Sequence, residues 1–269
     1  MKPRLHALYV IVATLSLVAG VGAPMLLGST TYAAVSASGS ASATFRVDIP
    51  TERECAIWAG ADLEIRGSRN RFDQCAHAND DVFLRGGDQR FRGSVRYVDA
   101  IDSNNNGHVL ERGADKVAAA PAPVSLALAD YAPGGRAAIA AGSSYHLRNS
   151  SAVIDAGALA AGLHYVDGDV VVRGAQSAVA VTLVAKGRIT IESHDLRLTP
   201  FVDGLVLGAW RASGNAIEVQ SDRGVYDGLL YAASANLQVA GGADGNTFSG
   251  KLVAGQNVAI NGDDNVVAV

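Results

Sequence analysis

Seven short segments of this chain share one pattern. Two apolar residues flank a variable one, and a small residue follows after one spacer. The copies are Leu63-Glu-Ile65-Arg-Gly67, Val82-Phe-Leu84-Arg-Gly86, Val170-Val-Val172-Arg-Gly174, Ile189-Thr-Ile191-Glu-Ser193, Ile217-Glu-Val219-Gln-Ser221, Leu237-Gln-Val239-Ala-Gly241 and Val258-Ala-Ile260-Asn-Gly262. Leu63 to Val82 and Val170 to Ile189 are steps of 19 residues, and the steps on to Leu237 and Val258 are 20 and 21. Ile189 to Ile217 is 28, so one coil carries an insertion. A second apolar residue follows each small one: Phe72, Phe91, Val179, Leu198, Tyr226, Phe248 and Val267. Runs this short, rich in β-branched residues, read as strands rather than amphipathic helices. No 20-residue unit buries its apolar face alone, so the units must stack. The pattern predicts an all-β chain. Its form is a single-stranded parallel β-helix, a solenoid with coils of about 20 residues, each holding about three short strands.

Composition agrees. Hydrophobic residues make up 49% of the chain but aromatic residues only 6%, so the core is aliphatic and thin. The 30 glycines suit a fold with many corners. A net charge of −4 with no basic stripe excludes nucleic acid as a partner. There is no Gly-x-Ser-x-Gly elbow, phosphate loop or dinucleotide fingerprint, and nothing calls for a cofactor.

Four regions follow in order. Residues 1–33 combine Lys2, Arg4 and His6 with an apolar stretch from Ala7 to Gly28 and a small-residue site at Thr31-Tyr32-Ala33. This reads as a signal peptide or, uncleaved, as an N-terminal membrane anchor. Either places the remainder outside the cytoplasm, secreted or at the cell surface. Residues 34–45, small and polar, form a flexible linker. Residues 46–269 form the β-helix domain, interrupted by an irregular insertion at 101–150. Within it, Pro133 to Ala141 is expected to form one short helix against the flank or end of the stack.

Candidate sites are few. Cys55 and Cys75 begin equivalent runs 20 residues apart. Neighbouring coils lie about 4.8 Å apart, within disulfide reach, and an exported chain with two cysteines is expected to bond them. The bond would staple the N-terminal end of the stack. Asp102, Asn104 and Asn106 space oxygens like the start of a calcium loop, but the twelfth position is Gly113, so an Asn-rich turn competes with a metal site. Asp167, Asp169 and Asp203, with Arg173 or Arg188 nearby, are the carboxylates a sugar-cleaving site would need. Asp167 and Asp169 also read as corner residues, since Ala185 and Gly187 are taken as their counterparts one coil on. His164 and His194 read as surface or turn residues. The long coil is expected to project a loop at 194–204. The uncapped apolar run Val266–Val269 marks an end for association with further copies.

The segments Gly245-Asn246-Thr-Phe248-Ser-Gly250, Gly262-Asp-Asp-Asn265-Val266, Tyr165-Val-Asp-Gly-Asp-Val170, Leu183-Val-Ala-Lys-Gly-Arg-Ile-Thr-Ile191 and Ala129-Asp-Tyr-Ala-Pro-Gly-Gly135 resemble those of exported bacterial bactofilin-like, polymer-forming parallel β-helix proteins. The resemblance implies the fold and an end-to-end habit. The expectation is a non-enzymatic, extracytoplasmic structural or adhesive solenoid. Its partners would be further copies at the solenoid ends and a cell-surface glycan. The alternative is a carbohydrate-active enzyme (polysaccharide lyase or glycoside hydrolase) or a carbohydrate-binding module on the same scaffold.

Overall fold

The computed structural model describes residues 55–104, 106–174 and 178–268. The signal peptide or anchor expected at residues 1–33 and the linker expected at 34–45 lie outside the described residues. The chain is an all-β parallel solenoid whose strands form three sheets along one axis. The seven repeat copies build the second sheet, nine strands deep among the described residues. Its inward residues stack like on like: Val170 on Ile189, Ile189 on Ile217, and Leu237 on Val258. The second apolar positions form the third sheet, where Tyr226 stacks on Phe248 and Phe72 on Phe91 with ring centroids 5.2 and 4.4 Å apart.

The order of the coils is not the order of the sequence. Strand Leu252–Ala254 pairs with Ile57–Ala59, Val258–Ile260 with Leu63–Ile65, and Val266–Ala268 with Arg71–Phe72. The coils from Tyr145 to Ala268 are laid first, and those from Cys55 to Lys116 continue the stack beyond them. The coil ending near Val267 is therefore an inner coil, not an end. The disulfide is present, with Cys55 and Cys75 joined and their Cα atoms 4.4 Å apart, but it sits in mid-stack rather than at an edge.

This order forces a long return. In the first sheet the strands run from Tyr145–Arg148, through Gly162–Val166 and Leu252–Ala254, to Ile57–Ala59 and Ala114–Lys116. Nine steps separate its outermost strands, about 43 Å at the usual strand spacing. Residues 117–144 cover that distance across the outer face of the first sheet. They contain α1 (Leu128–Tyr131) and α2 (Arg136–Ala141), the latter inside the span expected for a helix. The repeat itself persists into Ile101–Ser103, Val109–Leu110 and Ala114–Lys116, and resumes at Tyr145. The irregular stretch is thus narrower than 101–150. Two apolar layers result. One fills the solenoid, and the other joins Tyr131, Ala137 and Ala138 to the outward Tyr165, Val184, Tyr231 and Val253 of the first sheet. Asn79 pins the start of the return by bonding both the N–H and the carbonyl of Ala120.

The nine extra residues of the long coil split between two corners. Leu198 to Leu207 takes nine steps where Tyr226 to Leu230 takes four, and Ala209 to Ile217 takes eight where Ala185 to Ile189 takes four. His194 and Asp195 belong to an ordinary corner, and Arg197–Thr199 is a third-sheet strand. The two inserts grip the return segment instead of projecting freely. Trp210 packs on Tyr131 and Tyr231, and Asp203 pairs with Arg136.

Candidate functional site

The outer face of the first sheet is occupied by the return segment. The second sheet keeps a solvent-facing column of Glu218, Gln238, Ala259, Glu64, Phe83 and Asp102, each directly above the last along the axis. Beside it runs a ladder of short amide and carboxylate side chains, because an Asn or Asp precedes most copies of the repeat. Asp169 Oδ1 accepts from the N–H of Arg188 at 2.7 Å. Asn236 Oδ1 accepts from Asn257 N–H at 3.2 Å, Asn257 Oδ1 from Asp62 N–H at 3.0 Å, Asp62 Oδ1 from Asp81 N–H at 3.2 Å, and Asp81 Oδ1 from Ala100 N–H at 2.8 Å. Each satisfies a corner N–H that the strand ladder leaves unpaired.

Where the short Ala259 lies between Gln238 and Glu64, the column dips. The resulting depression has a volume of 340 Å³ and is lined by Asp62, Glu64, Phe83, Arg85, Asn215, Asn236, Asn257 and Ala259. Asn215 donates to Glu218 at 2.8 Å and to Gln238 at 2.5 Å. Arg85 lies over the Phe83 ring, 5.1 Å from its centroid, and pairs with Asp102 at 2.7 Å.

The carboxylates singled out from sequence are not brought together. Asp167 pairs with Lys186 at 3.0 Å. Asp169 caps the N–H of Arg188 and donates its own N–H to Ser151. Their counterparts one coil on are therefore Lys186 and Arg188, because the register places Val166 on Ala185 and Val170 on Ile189. Asp203, its side chain only 8% exposed, holds Arg136 at 2.8 Å and accepts from the Tyr131 hydroxyl at 3.4 Å. Burial, then the nearby Asp203 charge, pushes the Tyr131 hydroxyl up. This group is a clasp on the return segment.

Asp102, Asn104 and Asn106 also part company. Asp102 turns to Arg85, Asn104 bonds His108 at 2.8 Å and the carbonyl of Arg85 at 2.7 Å, and the Asn106 carbonyl accepts from Asp88 N–H. The group of carboxylates that does converge among the described residues is Asp62, Asp80 and Asp81, with ligand atoms within 4.8 Å of one another. Burial and the charges of Asp81, Asp62 and Asp99 raise Asp80. Two of the three already cap N–H groups of the ladder.

His194 is a surface residue beside Asp222, but His164 is not. It takes an inward position in register with Leu183, is 3% exposed, and stacks on His146 with ring centroids 4.4 Å apart. Its Nε2 meets the Ala160 carbonyl at 2.8 Å, and its buried Nδ1 has no hydrogen-bond partner among the described residues. Burial holds its pKa below the ordinary value, His146 and Arg148 add to the effect, and the Ala160 carbonyl opposes it.

Reading the sequence overlooked the amide ladder. Its signal was available: Asp62, Asp81, Asp169, Asn236 and Asn257 each stand immediately before the first apolar residue of a copy. No helix of the described residues is long and apolar enough to cross a membrane. No protein-family model, curated protein or solved structure matches this chain.

Proposed function

We propose that this chain is a non-enzymatic, extracytoplasmic structural or adhesive solenoid, a stiff rod that presents its second sheet to a surface partner. The observation that carries this reading is the separate commitment of Asp167, Asp169 and Asp203. One pairs with a lysine, one caps a backbone amide, and one clasps the return segment. A carboxylate pair for glycosidic cleavage needs two acids facing one bond. The Cys55–Cys75 disulfide supports an oxidising compartment, in keeping with the apolar, positively led N-terminal segment. The resemblance to polymer-forming β-helix proteins supports a mechanical role.

The test expresses the full chain and measures three things: thiol alkylation of Cys55 and Cys75 in the exported fraction, retention of the protein on cell-wall material, and release of reducing ends or unsaturated sugars. The expected outcome is protected thiols, retention and no turnover. Turnover abolished by Asp167→Asn or Asp203→Asn would overturn the reading in favour of a carbohydrate-active enzyme.

A further inference from the structure

We propose that the depression around Ala259 binds an uncharged oligosaccharide lying along the solenoid axis; this rests on the adhesive reading and names its ligand class. Asn215, Asn236 and Asn257 come from three successive coils, so their amides recur about every 4.8 Å along the axis. The Oδ1 atoms of Asn236 and Asn257 each accept a backbone N–H of the ladder, whereas the Asn215 Nδ2 is already committed to Glu218 and Gln238. The Asn257 Nδ2 donates no hydrogen bond among the described residues, and that of Asn236 makes only a long contact of 3.4 Å to Asn215. Amide donors therefore line one side of the depression. Asp62, which caps the Asp81 N–H through Oδ1, and Glu64, which pairs with Arg66 at 2.7 Å through Oε1, each add a second carboxylate oxygen as an acceptor beside them, and half-buried Phe83 adds an apolar wall.

A row of hydroxyls satisfies this mixture, because each hydroxyl both donates and accepts. The ring face of a sugar also suits an aromatic neighbour. Other polymers fit less well. An extended peptide repeats every 3.3–3.4 Å per residue and drifts out of phase with the amides, whereas a sugar chain repeats at about one ring length. A polyanion meets Asp62 and Glu64, with Asp80 and Asp81 close by, on a chain of net charge −4, and Arg85, the cation in the lining, is already paired with Asp102 at 2.7 Å. A wholly apolar ligand would strand the amides and carboxylates without partners.

The test titrates the purified protein with soluble uncharged oligomers of glucose and of N-acetylglucosamine, from two to six units, and with a polyuronate. Binding is followed by calorimetry and by the side-chain amide signals of Asn236 and Asn257. We expect affinity to rise with length up to about three units, as the Asn236 and Asn257 rungs and then the Phe83 wall are covered. Ala259→Arg, which fills the floor from a solvent-facing position, is expected to weaken binding at least tenfold with an unchanged melting temperature. Phe83→Ala is expected to do the same. The proposal is overturned if no uncharged oligomer moves the amide signals, if Ala259→Arg binds as well as the parent, or if the polyuronate binds more tightly. Retention of Ala259→Arg on cell-wall material would sink the groove while leaving the adhesive reading intact. Failure of the parent to be retained at all would sink the adhesive reading.

Discussion

Val267 stacks in register on Phe72, 195 residues away in sequence, and both are 1% exposed. This contact, repeated by Asn265 and Asn70 at the adjoining corner, makes the two ends of the described chain one cooperative unit. Phe72→Ala removes a ring packed on Phe91 and should cost about 3–5 kcal/mol. Denaturant unfolding followed at Trp58 and at Trp210 should shift together. Two separated transitions would show that the coils on either side of the junction fold independently.

A circular permutant should fold. Ala268, Cys55, Ala56 and Ile57 occupy the positions that Ser249, Gly250, Lys251 and Leu252 occupy one coil earlier, and Leu252 N–H bonds the Ala56 carbonyl just as Leu230 N–H bonds the Lys251 carbonyl. Joining Ala268 directly to Cys55, with new termini opened in the return segment near Pro121, keeps every strand pairing. The expected outcome is an unchanged far-ultraviolet spectrum and a melting temperature close to that of the parent. A molten or aggregated permutant would refute the coil order.

The disulfide closes a loop of sequence separation 20. A crosslink of that span stabilises by about 3 kcal/mol, chiefly through the unfolded chain. The paired Cys55→Ala, Cys75→Ala variant should lose about that much in urea titration while keeping the same fold. Reduction of the parent should match the variant, since the bond joins coils that are already stacked.

His164 sets a pH dependence. Burial, with His146 and Arg148 close by, holds it neutral in the folded chain, whereas in the unfolded chain it titrates near its ordinary value of 6.5. Between the two values the unfolded chain binds the extra proton, so stability rises with pH there. Stability is complete above about pH 6.5 and declines as the pH falls toward the depressed folded value. His164→Leu, which continues the column of Leu183, Leu207 and Leu230, should flatten the slope of stability against pH between 7 and 5. An unchanged slope would show that His164 does not titrate in this window.

The two outermost strands of the first sheet share a device. At the register position that is alanine in six successive inner strands (Ala185, Ala209, Ala232, Ala254, Ala59 and Ala78), one outermost strand carries Arg148 and the other carries Lys116. Head-to-tail stacking of two copies in register would oppose two cations, which is unfavourable. Sedimentation of the parent should show monomers at micromolar concentration, and the Lys116→Ala, Arg148→Ala variant should associate at lower concentration. Filaments of the parent would mean that the ends join in another register.

The strands were legible because Val, Ile and Leu recur with a fixed step, and the disulfide because Cys55 and Cys75 share a phase. The order of the coils was not. Inward Leu63, Val82 and Val258 are interchangeable as stacking partners, so proximity in sequence stood in for proximity in space. One clue was present. The apolar run at Val266 lacked a polar cap, and the coil that begins at Cys55 supplies its cover. The groove was hidden for a related reason: Asn236 and Asn257 look like ordinary corner residues until their amides align along the axis. His164 was misjudged because Leu163 and Tyr165, which share the opposite face, look like the inward pair until the return segment is seen to cover them.

Synthesis from the N-terminus has a consequence for this topology. The coils from Cys55 to Lys116 leave the ribosome long before Leu252–Ala268, the surface they rest on, has been made. At usual rates of translation that wait lasts on the order of 10–30 s. For that interval the early coils have no base, and their apolar edges are open to other strands. Leu252–Ala268 is the keystone, and a protein cut short before it should never become a rod.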